Sequence, residues 1–224
     1  DIHLTATGSS IVTGDLNSTA RSILNNSGNG GDISLSAVGL IQTGEILTTA
    51  SAISNSGNSG DITLNTQNEN ISTGLIETST LGIDNSGAGG DVSLNAFLSI
   101  DTPDIDTSAQ AYVNNARDAG DISLISLTGD ITTTSLTTNT SAGGSNTGDG
   151  GSITLTAPQG SITTNHITST TVSLDSDETQ GGDVRLTAEG VIVVDSINTT
   201  GAGQGGNIDI TTQELLRIVD TIPD

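Results

Sequence analysis

Carboxylates recurring at one offset are the first residues in this sequence that could do chemistry. The motif Gly-Asp-Ile-x-Leu-x-Ala and its variants place aspartate at Asp1, Asp32, Asp61, Asp91, Asp121 and Asp183, with Ser152 and Asn207 at the same offset. Carboxylates stacked at strand spacing either repel one another or share cations, so calcium is the first chemistry to weigh. Calcium wants about six to eight oxygens, and the calcium-binding β-roll repeat is absent. Ser152 and Asn207 keep a hydrogen-bond acceptor while losing the charge. The column is therefore read as structural, with an aspartate after Gly-Gly accepting bonds from nearby backbone N–H groups.

A second acidic group, Asp101, Asp104 and Asp106 with Glu77 one repeat earlier, resembles the carboxylate clusters of β-helix polysaccharide hydrolases. Acid and base catalysis on sugars needs two carboxylates at a fixed separation, one of them with its pKa raised. Here the acids alternate with apolar Ile100 and Ile105, which turns Asp101 and Asp106 to solvent, and Phe97 and Tyr112 are the only aromatic residues available as sugar platforms. Asp118, Asp149, Asp175, Asp177 and Glu178 crowd variable loops and read as solvated surface, with a weak calcium option at Asp175, Asp177 and Glu178. His3 and His166 fall in distant repeats, and the many serines and threonines are expected to lack a partner base. No catalytic residue and no cofactor-binding residue is assigned, and the chain is read as not an enzyme.

The charge excludes further classes. Twenty-six acidic residues against 4 arginines and no lysine give a net charge of −22, a poor match to nucleic acid or anionic membranes. Absence of cysteine removes disulfides and thiolate metal sites, and no apolar run approaches the ~20 residues of a spanning helix. Gly, Thr, Ser and Asn make up about half of the 224 residues, with one Phe, one Tyr and no Trp or Met, so a globular core of bulky side chains is ruled out.

Spacing supplies the order that composition does not. Repeats begin near 1, 32, 61, 91, 121, 152, 183 and 207, at intervals of 31, 29, 30, 30, 31, 31 and 24 residues. Each carries a first apolar pair, as in Ile33/Leu35, Ile62/Leu64, Val92/Leu94, Ile122/Leu124 and Ile153/Leu155. A second site follows (Ile41, Ile71, Ile100, Ile131, Ile162), then a third five residues later (Ile46, Ile76, Ile105, Leu136, Ile167). A looser fourth site falls at Ile23, Ile53, Ile83 and Leu174, with Tyr112 or Val113 in one repeat. Short alternating runs bounded by Gly, Asn, Asp or Pro predict strands joined by tight corners. Stacking equivalent strands about 4.8 Å apart satisfies their backbone groups and aligns the apolar columns into one interior.

The expected fold is all-β: a single right-handed parallel β-solenoid (β-helix) domain over 1–224, of about seven coils of ~30 residues. Ala6, Ala37, Ala96, Ala157 and Ala188 should fill one narrow corner, and Thr13, Thr43, Thr73, Thr102, Thr133 and Thr164 another. Gly14, Gly44, Gly74, Pro103, Thr134, Asn165 and Asp195 share a bend, mostly as types that tolerate or preset unusual backbone angles. Phe97, Ile125 and Leu127, and separately Val191 with Val193, are candidate outward apolar patches.

The units Gly-Gly-Asp-Val-Ser-Leu-Asn-Ala (89–96) with paired Ile-x-Thr steps (71–73, 76–78) resemble the repeats of filamentous-haemagglutinin-type, two-partner-secretion-like exoproteins, most of all the cyanobacterial surface repeat proteins. The closing Asn207–Ile218 stretch is similar to the close of such arrays. The resemblance implies a right-handed β-helix secreted to the bacterial cell surface and acting as an adhesin or filament, of which this chain reads as an excerpt. The expected role is a structural or adhesive segment, a rigid acidic stalk with weak loop contacts to cell-surface glycans or other cells. End-to-end self-association through exposed strand edges is a further expectation, without nucleic acid or membrane insertion. The alternatives are a β-helix polysaccharide-active enzyme fragment and an ice-binding solenoid. The outward ladder Ser34/Ser36, Thr63/Asn65, Ser93/Asn95, Ser123/Ile125 is too mixed for ice.

Overall fold

Interior packing follows the apolar columns. The computed structural model describes residues 1–144, 146–173 and 179–219, and places them in a parallel β-solenoid of about six turns, roughly 30 residues each, with no helix among them. The first of its three sheets has eight parallel strands in chain order, from Ile2–Ala6 through Val92–Ala96 to Ile208–Thr212. They pair residue for residue, with Ile33 beside Ile62, Leu64 beside Leu94 and Leu124 beside Leu155. Alternation turns the first apolar pair of every repeat inward, and Ile33, Leu35, Ile62, Leu64, Val92, Leu94, Ile122, Leu124, Ile153 and Leu155 are all fully or almost fully buried.

The second sheet carries the next two apolar sites. Their spacing of five is odd, so strict alternation would send one of them outward. The strand Ile162–Thr168 shows how this is resolved: Ile162, Thr164 and Ile167 face in, while Asn165 and His166 are consecutive outward residues. That one-residue slip is the bend. It rests on no left-handed backbone, because no described residue, glycine included, has a positive φ. The expectation of unusual angles at this corner is therefore corrected: the bend is made with ordinary backbone, and Thr134, Asn165 and Asp195 occupy the same offset as Gly14, Gly44 and Gly74.

The third sheet departs further from expectation. Its six short strands include Ala20–Ser22, Ala50–Ala52, Thr80–Gly82, Ala109–Ala111 and Thr140–Ala142, and their inward residues are Ala, Thr, Ser and Gly. The fourth apolar site follows one residue later and faces solvent: Ile23 is 66%, Ile53 49%, Ile83 41% and Tyr112 59% exposed. Leu174 lies outside the described residues. The wall lies close against the loop that follows it, since Thr80 donates to the Gly87 carbonyl at 2.8 Å and Thr140 to that of Asp149 at 2.7 Å. The 24-residue interval from Asp183 to Asn207 has no third-sheet strand among the described residues, which is why six complete turns form where about seven were expected.

Both narrow corners hold small or hydroxylated side chains as expected. Ala37, Ala96, Ala157 and Ala188 are buried at one, where Thr66 donates to the Glu69 carbonyl at 2.6 Å and Ser126 to that of Gly129 at 2.7 Å. At the other, Thr73 Oγ1 donates to Thr102 Oγ1 at 2.8 Å, whereas the Thr133 and Thr164 hydroxyls are buried without a partner. Val194 occupies the same column beside Thr164. Thr164→Val is therefore expected to raise stability by about 1 kcal/mol, because it removes an unpaired buried hydroxyl at nearly constant shape. Urea denaturation checks this, and a lowered midpoint would contradict the assignment.

Candidate functional site

The aspartate column is a ladder between coils. Each carboxylate accepts a hydrogen bond from the backbone N–H of the equivalent residue one coil on. Asp1 takes that of Asp32 at 3.0 Å, Asp32 that of Asp61 at 3.0 Å, Asp61 that of Asp91 at 2.9 Å, and Asp91 that of Asp121 at 2.8 Å. Asp121 serves Ser152 at 2.7 Å, and Asp183 serves Asn207 at 2.7 Å. Such an N–H has no strand partner at a corner, so a side-chain oxygen supplies one.

The same device runs along other corners. Asn29 accepts from Asn58 and Asn58 from Ala88, then Asp118 accepts from Asp149 at 2.9 Å and Asp149 from Gln180 at 2.8 Å. A third column pairs Asn70 with Ser99, Asp130 with Ser161 and Ser161 with Val191. Asp118 and Asp149, read from the sequence as solvated loop residues, are thus members of a structural column. Asp175, Asp177 and Glu178, with their calcium option, lie outside the described residues.

Members of two of these columns line one cleft of about 490 Å³, Asp91, Asp121 and Asp183 from the first and Asp118 and Asp149 from the second. Among the described residues, no three His, Cys, Asp or Glu side chains converge as a metal site would require. Electrostatics show where the ladder is strained. Asp61 is exposed as a residue, but partial desolvation of its carboxyl against the next coil raises its pKa above the ordinary 3.8. The Asp91 N–H bond opposes this shift, and the negative charges of Asp91 and Asp32 add to it. A carboxyl whose folded pKa exceeds its unfolded value binds its proton first in the folded state. Stability therefore rises as pH falls through the folded value toward 3.8, and is lost again as pH climbs. Urea midpoints should increase from neutral pH toward pH ~4, less steeply in Asp61→Asn; a slope unchanged in that variant would contradict the assignment.

The second acidic group is only partly assembled. Glu77 and Asp106 are register partners, while Asp101 sits beside Ser72 and Thr132, and Asp104 beside Ser135. Ile100 and Ile105 point inward between them, as the alternation requires. Glu77 accepts from the Ser79 hydroxyl at 2.7 Å, and Asp106 from the Ser108 N–H at 2.9 Å. These are local caps that hold the two carboxylates to their own strands.

Compared with protein-family models, with curated proteins and with solved structures, the chain matches none. Function must then be argued from the residues alone.

One serine does find a histidine, contrary to the expectation that none would. His166 Nδ1 lies 3.0 Å from Ser196 Oγ on neighbouring strands of the second sheet. Both side chains are open to water on the strand face, an arrangement of a cross-strand polar pair. His3 lies in the first coil, in register with Ser34 on the first sheet, far along the stack from His166. Phe97 and Leu127 are exposed on adjacent coils, with Ile125 half-buried nearby, so that candidate patch is assembled. Val191 and Val193 are both half-buried.

Sequence reasoning missed a buried threonine column. Thr48, Thr78, Thr107 and Thr138 donate to the carbonyls of Gly60, Gly90, Gly120 and Gly151 at 2.6, 2.5, 2.6 and 2.7 Å. The same glycines return their N–H groups to the threonine carbonyls. This reciprocal staple closes these four coils just before Asp61, Asp91, Asp121 and Ser152. Its signal was present, a threonine two residues after each third apolar site (Ile46/Thr48, Ile76/Thr78, Ile105/Thr107, Leu136/Thr138), but threonine is too common here to stand out.

Proposed function

We propose that the chain is a structural segment of a secreted bacterial surface protein of the filamentous-haemagglutinin type. It acts as a rigid, acidic rod that holds variable loops for weak contact with glycans or other cells. The observation that carries this reading is the use made of the repeated residues. Offsets that recur from coil to coil are buried columns or corner ladders, and an outward column such as Thr63, Ser93, Ser123, Thr154 and Arg185 keeps no fixed residue. Seven intervals at about 4.8 Å make a rod of roughly 35 Å, with every coil bonded to the next. A net charge of −22 keeps such a surface from sticking nonspecifically.

The experiment is retention of the purified chain on a panel of polysaccharides and on intact bacterial cells, with and without calcium, while substrate chain length is followed. Weak, saturable retention without shortening of the polysaccharide is expected. Depolymerisation would overturn the reading and direct attention to Glu77 and Asp106. Complete absence of retention would leave the rod and remove its adhesive role.

A further inference from the structure

Asparagine followed by glycine occurs once in the sequence, at Asn29–Gly30. Glycine has no side chain to shield its own nitrogen, so this is the dipeptide of the chain most open to attack by backbone on side-chain amide. Stacking is what brings the two residues together. Asn29 stands in the corner column where Asn58, Asp118 and Asp149 also accept an N–H from the next coil. Gly30 lies where a Cβ would come 2.1 Å from the Thr48 carbonyl oxygen. Both reacting groups are held by one residue of the next coil: Asn29 Oδ1 accepts from the Asn58 N–H at 3.0 Å, and the Gly30 N–H donates to the Asn58 carbonyl at 2.9 Å.

We propose that Asn29–Gly30 is a deamidation site gated by the docking of these two coils. The Gly30 nitrogen must give up its proton before it can attack the Asn29 side-chain carbon, and in the folded rod that proton is bonded to Asn58. When the coils part, solvent base takes the proton, the nitrogen bonds to Cγ, and Nδ2 leaves as ammonia with a proton returned by solvent. Water then opens the cyclic imide, and no oxidant or cofactor is consumed. Opening at one carbonyl gives aspartate, and opening at the other gives a β-linked isoaspartate. Aspartate fits, because Asp149–Gly150 makes the same two bonds to Gln180, at 2.8 and 2.9 Å. Isoaspartate adds a methylene to the main chain just before Gly30 and Gly31, whose N–H donates to the Ser18 carbonyl at 2.9 Å. Both glycine bonds then fall out of register, and the parting of the coils becomes permanent at this corner.

Peptide mapping by mass spectrometry after incubation of the 224-residue chain at mildly alkaline pH, in buffer and in denaturing urea, tests this. In urea Asn29 should exchange its amide for an acid well ahead of Asn58, which precedes serine. In buffer the conversion should slow by about tenfold or more, by the same factor that protects the Gly30 amide from hydrogen exchange. Gly57→Ala loosens the contact, since its Cβ would lie 2.4 Å from the Gly28 carbonyl oxygen and 2.6 Å from Asn29 Oδ1. It should speed conversion and Gly30 exchange together, and urea below the unfolding transition should do the same to the unsubstituted chain. Equal conversion rates in buffer and in urea would overturn the gating, as would faster Gly30 exchange without faster conversion. Conversion of Asn29 no faster than that of Asn58 in urea would overturn the site.

Discussion

Gly90→Ala is expected to cost about 3 kcal/mol or more. A Cβ at Gly90 would lie 2.1 Å from the Gly60 carbonyl oxygen and 2.7 Å from its carbon. Both atoms are backbone, so no rotamer change relieves the clash. Gly90 cannot retreat either, because its carbonyl accepts from Thr78 Oγ1 at 2.5 Å and its N–H donates to the Thr78 carbonyl at 3.0 Å. Gly60, Gly120, Gly151 and Gly182 repeat the approach, each with a carbonyl oxygen of the preceding coil within 2.0 to 2.4 Å of the added atom. Gly28→Ala is the matched control, since a Cβ there meets nothing within 4 Å and no positive φ is involved. It should be neutral or stabilising by about 0.5 kcal/mol. Parallel urea titrations measure both, and equal midpoints for the two variants would refute the close stacking of the glycine column.

Leu94→Ala should cost about 2 to 5 kcal/mol, the ordinary range for truncating a core leucine. Leu94 is 0% exposed, in register with Leu64 on one side and Leu124 on the other, so the cavity opens in the middle of the stack. Each coil touches only its neighbours, and the defect divides the rod into two arms whose coupling falls. Its unfolding transition should therefore broaden as well as shift. Ile53→Ala removes a side chain of the same size from the exposed fourth site and should cost less than about 0.5 kcal/mol. The two isoleucine or leucine positions look alike in sequence, and chemical denaturation separates them.

That pair of variants also shows where the sequence was legible. Within a strand, alternation is strict, so the inward assignments of Ile33/Leu35 through Ile153/Leu155 transfer directly to the structure. At the corner between the second and third sites parity slips by one. Beyond it alternation is unbroken, with Ile46, Thr48, Ala50 and Ala52 inward, so the spacing of seven turns Ile53 outward, and Ile83 likewise. Hydropathy picks out the fourth site against that parity: the third wall is filled by Ala50, Thr80, Ala109 and Thr140, which hydropathy alone does not mark as core. The role of the aspartate column was readable because Ser152 and Asn207 share its offset and its acceptor but lack its charge. Its partner, the N–H of the same residue one coil later, was not, since it lies about 30 residues away and appears only once the coils are stacked. Gly60, Gly90 and Gly120, just before the aspartate column, are required by the proximity of the neighbouring coil's backbone, a distance that local sequence does not encode.

The central claim is that the recurrent acidic residues are structural, each holding the backbone of the next coil. Amide hydrogen exchange in Asp61→Ala tests it most directly. The Asp91 amide, which donates to Asp61 at 2.9 Å, should lose about tenfold in protection, while the Asp121 amide, bonded to Asp91 at 2.8 Å, should keep its own. Asp61→Asn, which retains the accepting oxygen, should leave both protected. Unchanged exchange at Asp91 in Asp61→Ala would contradict the ladder and return the aspartate column to the residues still in need of a function.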